Sequence, residues 1–385
     1  MRNGSRRWAV ALAATAAVAL AVPASAQAQT EKGHADTQVV LDRYRAKSGP
    51  GAAVYAGGRT GVWHLHSGTA RAGWPHRPVR TTDHFRIASQ TKTFTAAVVL
   101  QLVDEKRVEL DAPIERYLPG VVRGNGYDGN KITVRQILQH TSGIANPPVS
   151  AIGRVPSPDG TIALGDLVRR ELSHPPQFAP GTSWGYSNTN YHLAGLLIER
   201  ITRTTVVDAV TSRIIRPLGL TETTLPRPGD RTLGEPYLPG YTGRRVGPFL
   251  FWTETTFTYP GSNVDIASVG SSAGGIVSTL KDLTTFFRAL LGGEVVSASA
   301  LAEMRRTVPV PGHSQGYGYG LGLMRQPLSC GGAAWGHPGG SATGYSSMTA
   351  VTDDARHAAV VTNTESSASS PAQEDVIDSA LCGSR

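Results

Sequence analysis

An α+β fold is predicted: an antiparallel sheet built from both chain ends, flanked by helices and carrying an inserted, mainly helical lobe. Three observations predict it. β-rich runs cluster near the two ends of the 385-residue chain, helix-period segments fill its middle, and neither βαβ alternation nor an internal repeat appears.

The first 28 residues are read as a cleaved leader. Arg2, Arg6 and Arg7 precede an apolar run from Trp8 to Val22, and Ala24-Ser25-Ala26 is a small-x-small cleavage site. That run is too short and too alanine-rich to span a bilayer comfortably. Ser5-Arg6-Arg7 lacks the strong apolar residue of a twin-arginine signal, so the general export route is expected. Cleavage after Ala26 or Ala28 would release a secreted, extracytoplasmic protein with no membrane attachment. Residues 31–385 then read as one domain, with a sheet lobe over about 31–95 and 265–385 and a helical lobe over about 96–264.

Within it, Ala52-Ala53-Val54-Tyr55 and Gly61–Leu65 read as strands around Gly-Gly and Ser-Gly turns. A helix is expected from Ser89 to Lys106, with Phe94, Ala97, Val98 and Leu102 on one stripe. Helices follow at Val134–His140, Leu164–Leu172, Tyr191–Ile201 and Val206–Ile215, joined by Pro/Gly-rich loops. Pro226–Pro260, rich in Pro, Gly, Tyr and Thr, reads as an irregular surface excursion. Lys281–Leu291 is an amphipathic helix capped by Ser278 or Thr279. Strands at Gly318–Arg325, Ala333–His337, Gly344–Val351 and Ala358–Asn363, then a helix at Glu374–Cys382, close the chain.

Removing the leader's three arginines lowers the net charge from +8 to +5. No block of five basic residues occurs, which argues against a nucleic-acid partner. The two cysteines, Cys330 and Cys382, are an even, sparse set for an exported protein and suggest one disulfide, the alternative being two buried thiols. Such a bridge closes a loop of about 50 residues, worth roughly 4 kcal/mol in the loop-entropy account. No metal-ligand cluster or cofactor motif is present, so neither a metal nor a cofactor is expected. No coiled coil or exposed apolar helix is visible, and a monomer is expected.

Three short motifs carry chemistry. Ser89-Gln90-Thr91-Lys92 opens a helix; Tyr186-Ser187-Asn188 starts 97 residues later, and His337-Pro338-Gly339-Gly340 another 151 after that. Residues three apart on a helix share a face, so Lys92 can bring its amine to the Ser89 hydroxyl, which is a poor nucleophile until it loses its proton. Tyr186 offers a phenol that a nearby ammonium would hold partly ionised and that can pass a proton to a leaving group. Asn188 can donate to, and accept from, an acyl side-chain amide. Gly339 and Gly340 let a substrate backbone approach the strand edge. The N–H groups of Ser89 and Gly340 would form an oxyanion hole.

These motifs resemble those of penicillin-recognising serine enzymes: class C β-lactamases, and above all the exported D-alanyl-D-alanine carboxypeptidases/transpeptidases. The likeness runs from about Leu41 to Gly383. It takes in Asp83–Ile87, Leu100–Glu105, Ile132–Leu138, His140-Thr141-Ser142-Gly143, Tyr186–Asn190, Ser272–Gly275, Leu328-Ser329-Cys330 and Cys382-Gly383. It implies Ser89 as the acylated nucleophile, Lys92 as its proton partner, Tyr186 as general base and acid, and His337 in the place of a β-lactamase lysine. It also implies the Cys330–Cys382 disulfide.

Three positions depart from the carboxypeptidase pattern. Pro338 and Gly340 stand where threonines are usual, and Met324 stands where an arginine grips the substrate's terminal carboxylate. Arg325 is adjacent but faces the other side of its strand. Losing a charge-assisted carboxylate contact costs about 1.5–3 kcal/mol of recognition.

Gly-x-Ser-x-Gly occurs at Gly181–Gly185, Gly270–Gly274 and Gly312–Gly316, each without the parallel-strand unit of a nucleophile elbow. Ser278-Thr279-Leu280-Lys281 is a second Ser-x-x-Lys that no Tyr-x-Asn follows. His64 and His66 read as surface residues and His140 as a structural helix end. The resemblance thus implies a D-alanyl-D-alanine carboxypeptidase acting on cell-wall peptide stems and acylated by β-lactams. A hydrolase of esters or small amides with the same machinery, or a non-catalytic ligand-binding relative, are the alternatives.

Overall fold

A computed structural model describes residues 34–153, 155, 157–246, 249–259, 263–365 and 372–383; the expected leader lies outside them. Eight antiparallel strands form the main sheet. Their spatial order is Gly61–Gly68, Gly51–Gly58, His357–Thr362, Tyr345–Thr352, Ala333–Ser341, Met324–Pro327, Gly318–Tyr319 and Val308–Pro309. The two chain ends therefore pair directly, with Ala52 opposite Thr362 and Val54 opposite Val360.

Side-chain alternation sorts this sheet into two cores. Ala53, Ala359 and Val361 point to the helical side, where Phe94 stacks on Phe286. Ala52, Val54 and Val360 point to the other side, under the helices Ala35–Ser48 and Gln373–Cys382. With both faces covered, the strands Tyr345–Thr352 and His357–Thr362 are buried throughout. Cys330 and Cys382 are bonded, tying the last helix to the turn before Ala333–Ser341.

The intervening residues form the helical lobe, including Thr91–Asp104, Val134–Gln139, Leu164–Glu171 and Asn188–Thr202. Val134–Gln139 starts on a capping box, Thr133 with Gln136, and ends at His140 in the left-handed region. Thr279 is the N-cap of Leu280–Leu291.

Several expectations are corrected. Pro226–Pro260 is not wholly irregular: Tyr241–Val246 and Phe249–Glu254 form a hairpin whose Val246, Phe249, Leu250 and Phe251 are exposed. Both hairpin faces meet solvent, so no in–out alternation marked it. Gly318–Arg325 is not one strand but breaks over Gly320–Leu323. Gly322 has φ +70°, and a Cβ there would stand 2.6 Å from the Ala96 Cβ of the nucleophile helix. Val206–Ile215 is helical only to Val210 and continues as a π turn. The helix Ala35–Ser48 was not anticipated, because its buried stripe is only Thr37, Leu41, Tyr44 and Ser48.

Candidate active site

Ser89 lies in a 3-10 turn, Ala88–Gln90, that runs straight into Thr91–Asp104. Ala88 adopts φ +49°, a bend few L-residues take. The strand Ala333–Ser341 presses on this turn: a Cβ on Gly339 would stand 2.2 Å from the Ile87 carbonyl oxygen. Gly339 thus serves the contact between strand and nucleophile turn. Gly340 is the glycine that opens on the cleft, beside Ser89, Tyr186 and Asn188.

Lys92 is wholly buried. Its Nζ lies 2.7 Å from Asn188 Oδ1, 2.8 Å from Ala273 O and 3.2 Å from Ser89 Oγ. Desolvation pushes its pKa well below the ordinary lysine value, only partly offset by Glu171. A neutral amine has two hydrogens and one lone pair. The two hydrogens suit the two carbonyl-type oxygens, which leaves the lone pair facing the Ser89 hydroxyl.

Tyr186 completes the near group. Lys92 Nζ sits 4.8 Å from its ring centre. Its hydroxyl is buried with no hydrogen-bond partner among the described residues, approaching Ser89 without meeting hydrogen-bond geometry. Burial raises the phenol's pKa, and Ser89 offsets that only slightly. Burial thus works against the expected ammonium–phenolate pairing, because desolvation disfavours the charged form of both groups. Asn188 Oδ1 accepts from Lys92 with one of its two lone pairs, and its Nδ2 is free to donate to a substrate.

His337 is a step behind. It is buried, its Nδ1 donates to the Pro338 carbonyl at 2.6 Å, and its Nε2 accepts from the Tyr319 hydroxyl at 3.1 Å. Desolvation, then the nearby Lys92, lowers its pKa to about 3. Both its nitrogens are engaged, and it does not line the cleft around Ser89.

Sequence reasoning missed three contributors. His140 is buried with its ring 4.5 Å from that of Tyr186 and 4.8 Å from that of Tyr319. Its Nδ1 accepts from the Ser187 N–H and the Asn190 amide, so Nε2 carries the proton. Asn146 accepts the Asn188 N–H at 2.9 Å. Glu365 lines the cleft. The helix-end pattern showed that His140 caps a helix, but nothing local showed what its ring would touch.

Met324 is buried in a cluster with Val310, Tyr317 and Tyr319, against which Trp184 packs. Arg325 turns away, donating to the Gly316 carbonyl. Neither side chain supplies the expected carboxylate grip. The cleft encloses about 280 Å³, room for a small acyl group. Larger depressions lie elsewhere on the surface, but none contains Ser89 or Lys92.

A family model described as Beta-lactamase matches residues 35–381. A D-stereospecific amidohydrolase from Streptomyces sp. is 40% identical at TM-score 0.78, covering 91% of this chain and 99% of that one. A D-amino acid amidase from Ochrobactrum anthropi SV3, complexed with L-phenylalanine amide, is 26% identical at TM-score 0.72, covering 86% and 91%. Esterase EstB of Burkholderia gladioli is 36% identical over 154 residues, 37% of this chain and 39% of the esterase. The chain spans well under half the length of the curated relatives it matches.

Proposed function

The chain belongs to the beta-lactamase family of serine hydrolases, and we propose that it forms its acyl-enzyme on small amides and esters, D-amino acid amides among them, rather than on D-alanyl-D-alanine peptides. The observation that carries this reading is position 324, where the resemblance puts the carboxylate grip. Met324 is buried there in a cluster with Val310, Tyr317 and Tyr319, and the neighbouring Arg325 is held by the Gly316 carbonyl, so neither residue offers a cation to a terminal carboxylate. The amidohydrolase and amidase relatives support the same substrate class, and EstB supports the ester half.

In the proposed reaction, neutral Lys92 takes the Ser89 proton as Oγ attacks the carbonyl carbon. The N–H groups of Ser89 and Gly340 hold the oxyanion. The Tyr186 phenol gives its proton to the departing amine or alcohol and regains one from Lys92. Asn188 Nδ2 orients the acyl group. Water then releases it by the reverse proton path. We place this activity outside the cytoplasm, on the leader-like residues 1–28 and the Cys330–Cys382 bond.

The test compares kcat/KM for D-phenylalanine amide, p-nitrophenyl acetate and diacetyl-Lys-D-Ala-D-Ala. Amide and ester should turn over and both activities should vanish in Ser89→Ala, while D-alanine release is slower by roughly ten- to hundredfold, the cost of an absent charge-assisted contact. Preferred release of D-alanine would restore the carboxypeptidase reading. Failure of all three, with no covalent labelling by a fluorescent penicillin, would leave only a ligand-binding relative.

A further inference from the structure

We infer that Glu365 forms an acyl-side subsite for a protonated amine, so that the preferred amides and esters carry a free ammonium on the acyl group. This rests on the amide and ester reading above and narrows it.

The resemblance places the grip on a terminal carboxylate, and with it the leaving group, toward Met324, which pairs with Gly336. The acyl group belongs at the Gly340 end, where the cleft runs on between Val149, Tyr259, Ile266 and Val269. Those side chains suit an apolar substituent. At their edge stands a carboxylate: Glu365 Oε1 is 3.9 Å from where a Cβ on Gly340 would be. Ser89, Gly340 and Glu365 line the same cleft, so the substituents of an acyl group held on Ser89 share that cleft with this carboxylate.

The two residues before Glu365 are anchored. Asn363 Oδ1 accepts the Gly51 N–H and Asn363 Nδ2 donates to the Ala70 carbonyl, while the Thr364 hydroxyl donates to the Ser48 carbonyl. Glu365 itself has no hydrogen bond or ion pair among the described residues. It is exposed at the cleft mouth, yet the surrounding protein crowds it enough to push its carboxyl above the usual carboxylate range. A carboxylate partly stripped of water and lacking a cation is a site that an ammonium improves. The other charged group in the cleft, Arg86, is buried. Its Nε and Nη2 donate to the Thr256 and Arg231 carbonyls at 3.5 Å, and Asp265 and Asp230 answer its charge. Its Nη1 is without a partner, so an anionic acyl group is the rival occupant. Asn188 Nδ2 suits an N-acyl carbonyl, which makes an N-acetylated substrate the sharpest neutral comparison.

The experiment measures kcat/KM for D-phenylalanine amide and its N-acetyl and N-succinyl derivatives in the wild type, Glu365→Gln and Glu365→Asp. The free-amine to N-acetyl ratio should fall roughly tenfold or more in Glu365→Gln, the scale of one charge-assisted contact, and recover in part in Glu365→Asp. A merely structural role would lower all three substrates together and leave the ratio unmoved, which would overturn the proposal. Preference for the succinyl amide would overturn it in favour of Arg86. If none of the three is hydrolysed, the amide reading fails separately. Calorimetric binding of D-phenylalanine amide to Ser89→Ala then decides: a roughly tenfold loss on adding Glu365→Gln supports the subsite, and equal binding refutes it.

Discussion

Lys92 is wholly buried and touches no carboxylate, so unfolding at neutral pH lets it take up a proton that the folded chain denies it. Its folded pKa lies well below the ordinary 10.5. Between those two values the unfolded chain binds more protons, and stability must rise with pH at up to about 1.4 kcal/mol per unit. Lys92→Met removes this dependence. We predict that the stability of the wild type relative to Lys92→Met, read from denaturant melts, climbs from pH 7 to pH 10. A flat difference would mean the lysine is charged in the folded state. Catalysis follows the same proton: kcat/KM should rise with pH to a plateau well below pH 10.5, and Lys92→Met should lose on the order of a thousandfold. The Ser89–Lys92 pairing was legible because a three-residue helical spacing fixes it locally. The protonation states were not, because they depend on desolvation by segments as distant as Ala273 and Asn188.

Elements meet at the active site through Gly339, where a Cβ would lie 2.2 Å from the Ile87 carbonyl oxygen; at Gly340 it would meet, among the described residues, only Glu365 Oε1, at 3.9 Å. Gly339→Ala must push the strand off the nucleophile turn. We predict that it costs about 1–3 kcal/mol of stability as an overpacking change and roughly a hundredfold in kcat/KM. Gly340→Ala should melt within about 0.5 kcal/mol of the wild type. Equal melting of the two variants would show that the close approach is not real. The sequence displayed both glycines and the strand, yet not which glycine faced inward, since that follows from the strand's register against Ile87. Elements with a buried stripe and a cap were legible to within a residue, as Leu280–Leu291 shows with its Thr279 cap. Those shaped by distant neighbours were not. The break at Gly322 answers to Ala96, and the kink at Ser271 inside Ile266–Gly274 left no mark in the pattern.

Across the whole molecule, the sheet from both chain ends was readable because its strands lie near the termini and helices fill the interval. The convergence of His140, Tyr319 and His337 behind Tyr186 was not, since no short spacing joins them. That buried group has a global consequence. Desolvation first, with Lys92 adding to it, holds His140 well below the ordinary 6.5 and His337 at about 3; desolvation also lowers His357. Each is neutral in the folded chain but takes a proton on unfolding once the pH drops under about 6.5. A depressed folded pKa of this kind leaves stability intact above 6.5 and removes it as pH falls toward the folded value, at up to about 1.4 kcal/mol per pH unit for a histidine that stays neutral. Between pH 6 and pH 5, comparing a single-histidine variant with the wild type isolates that histidine from the other groups that titrate in this range. We predict that His337→Gln, whose amide can still accept from Tyr319, flattens the stability–pH slope in that interval by roughly 1.4 kcal/mol per unit. An unchanged slope would mean that His337 already carries its proton in the folded enzyme and that a cation, not a neutral imidazole, stands behind the cleft.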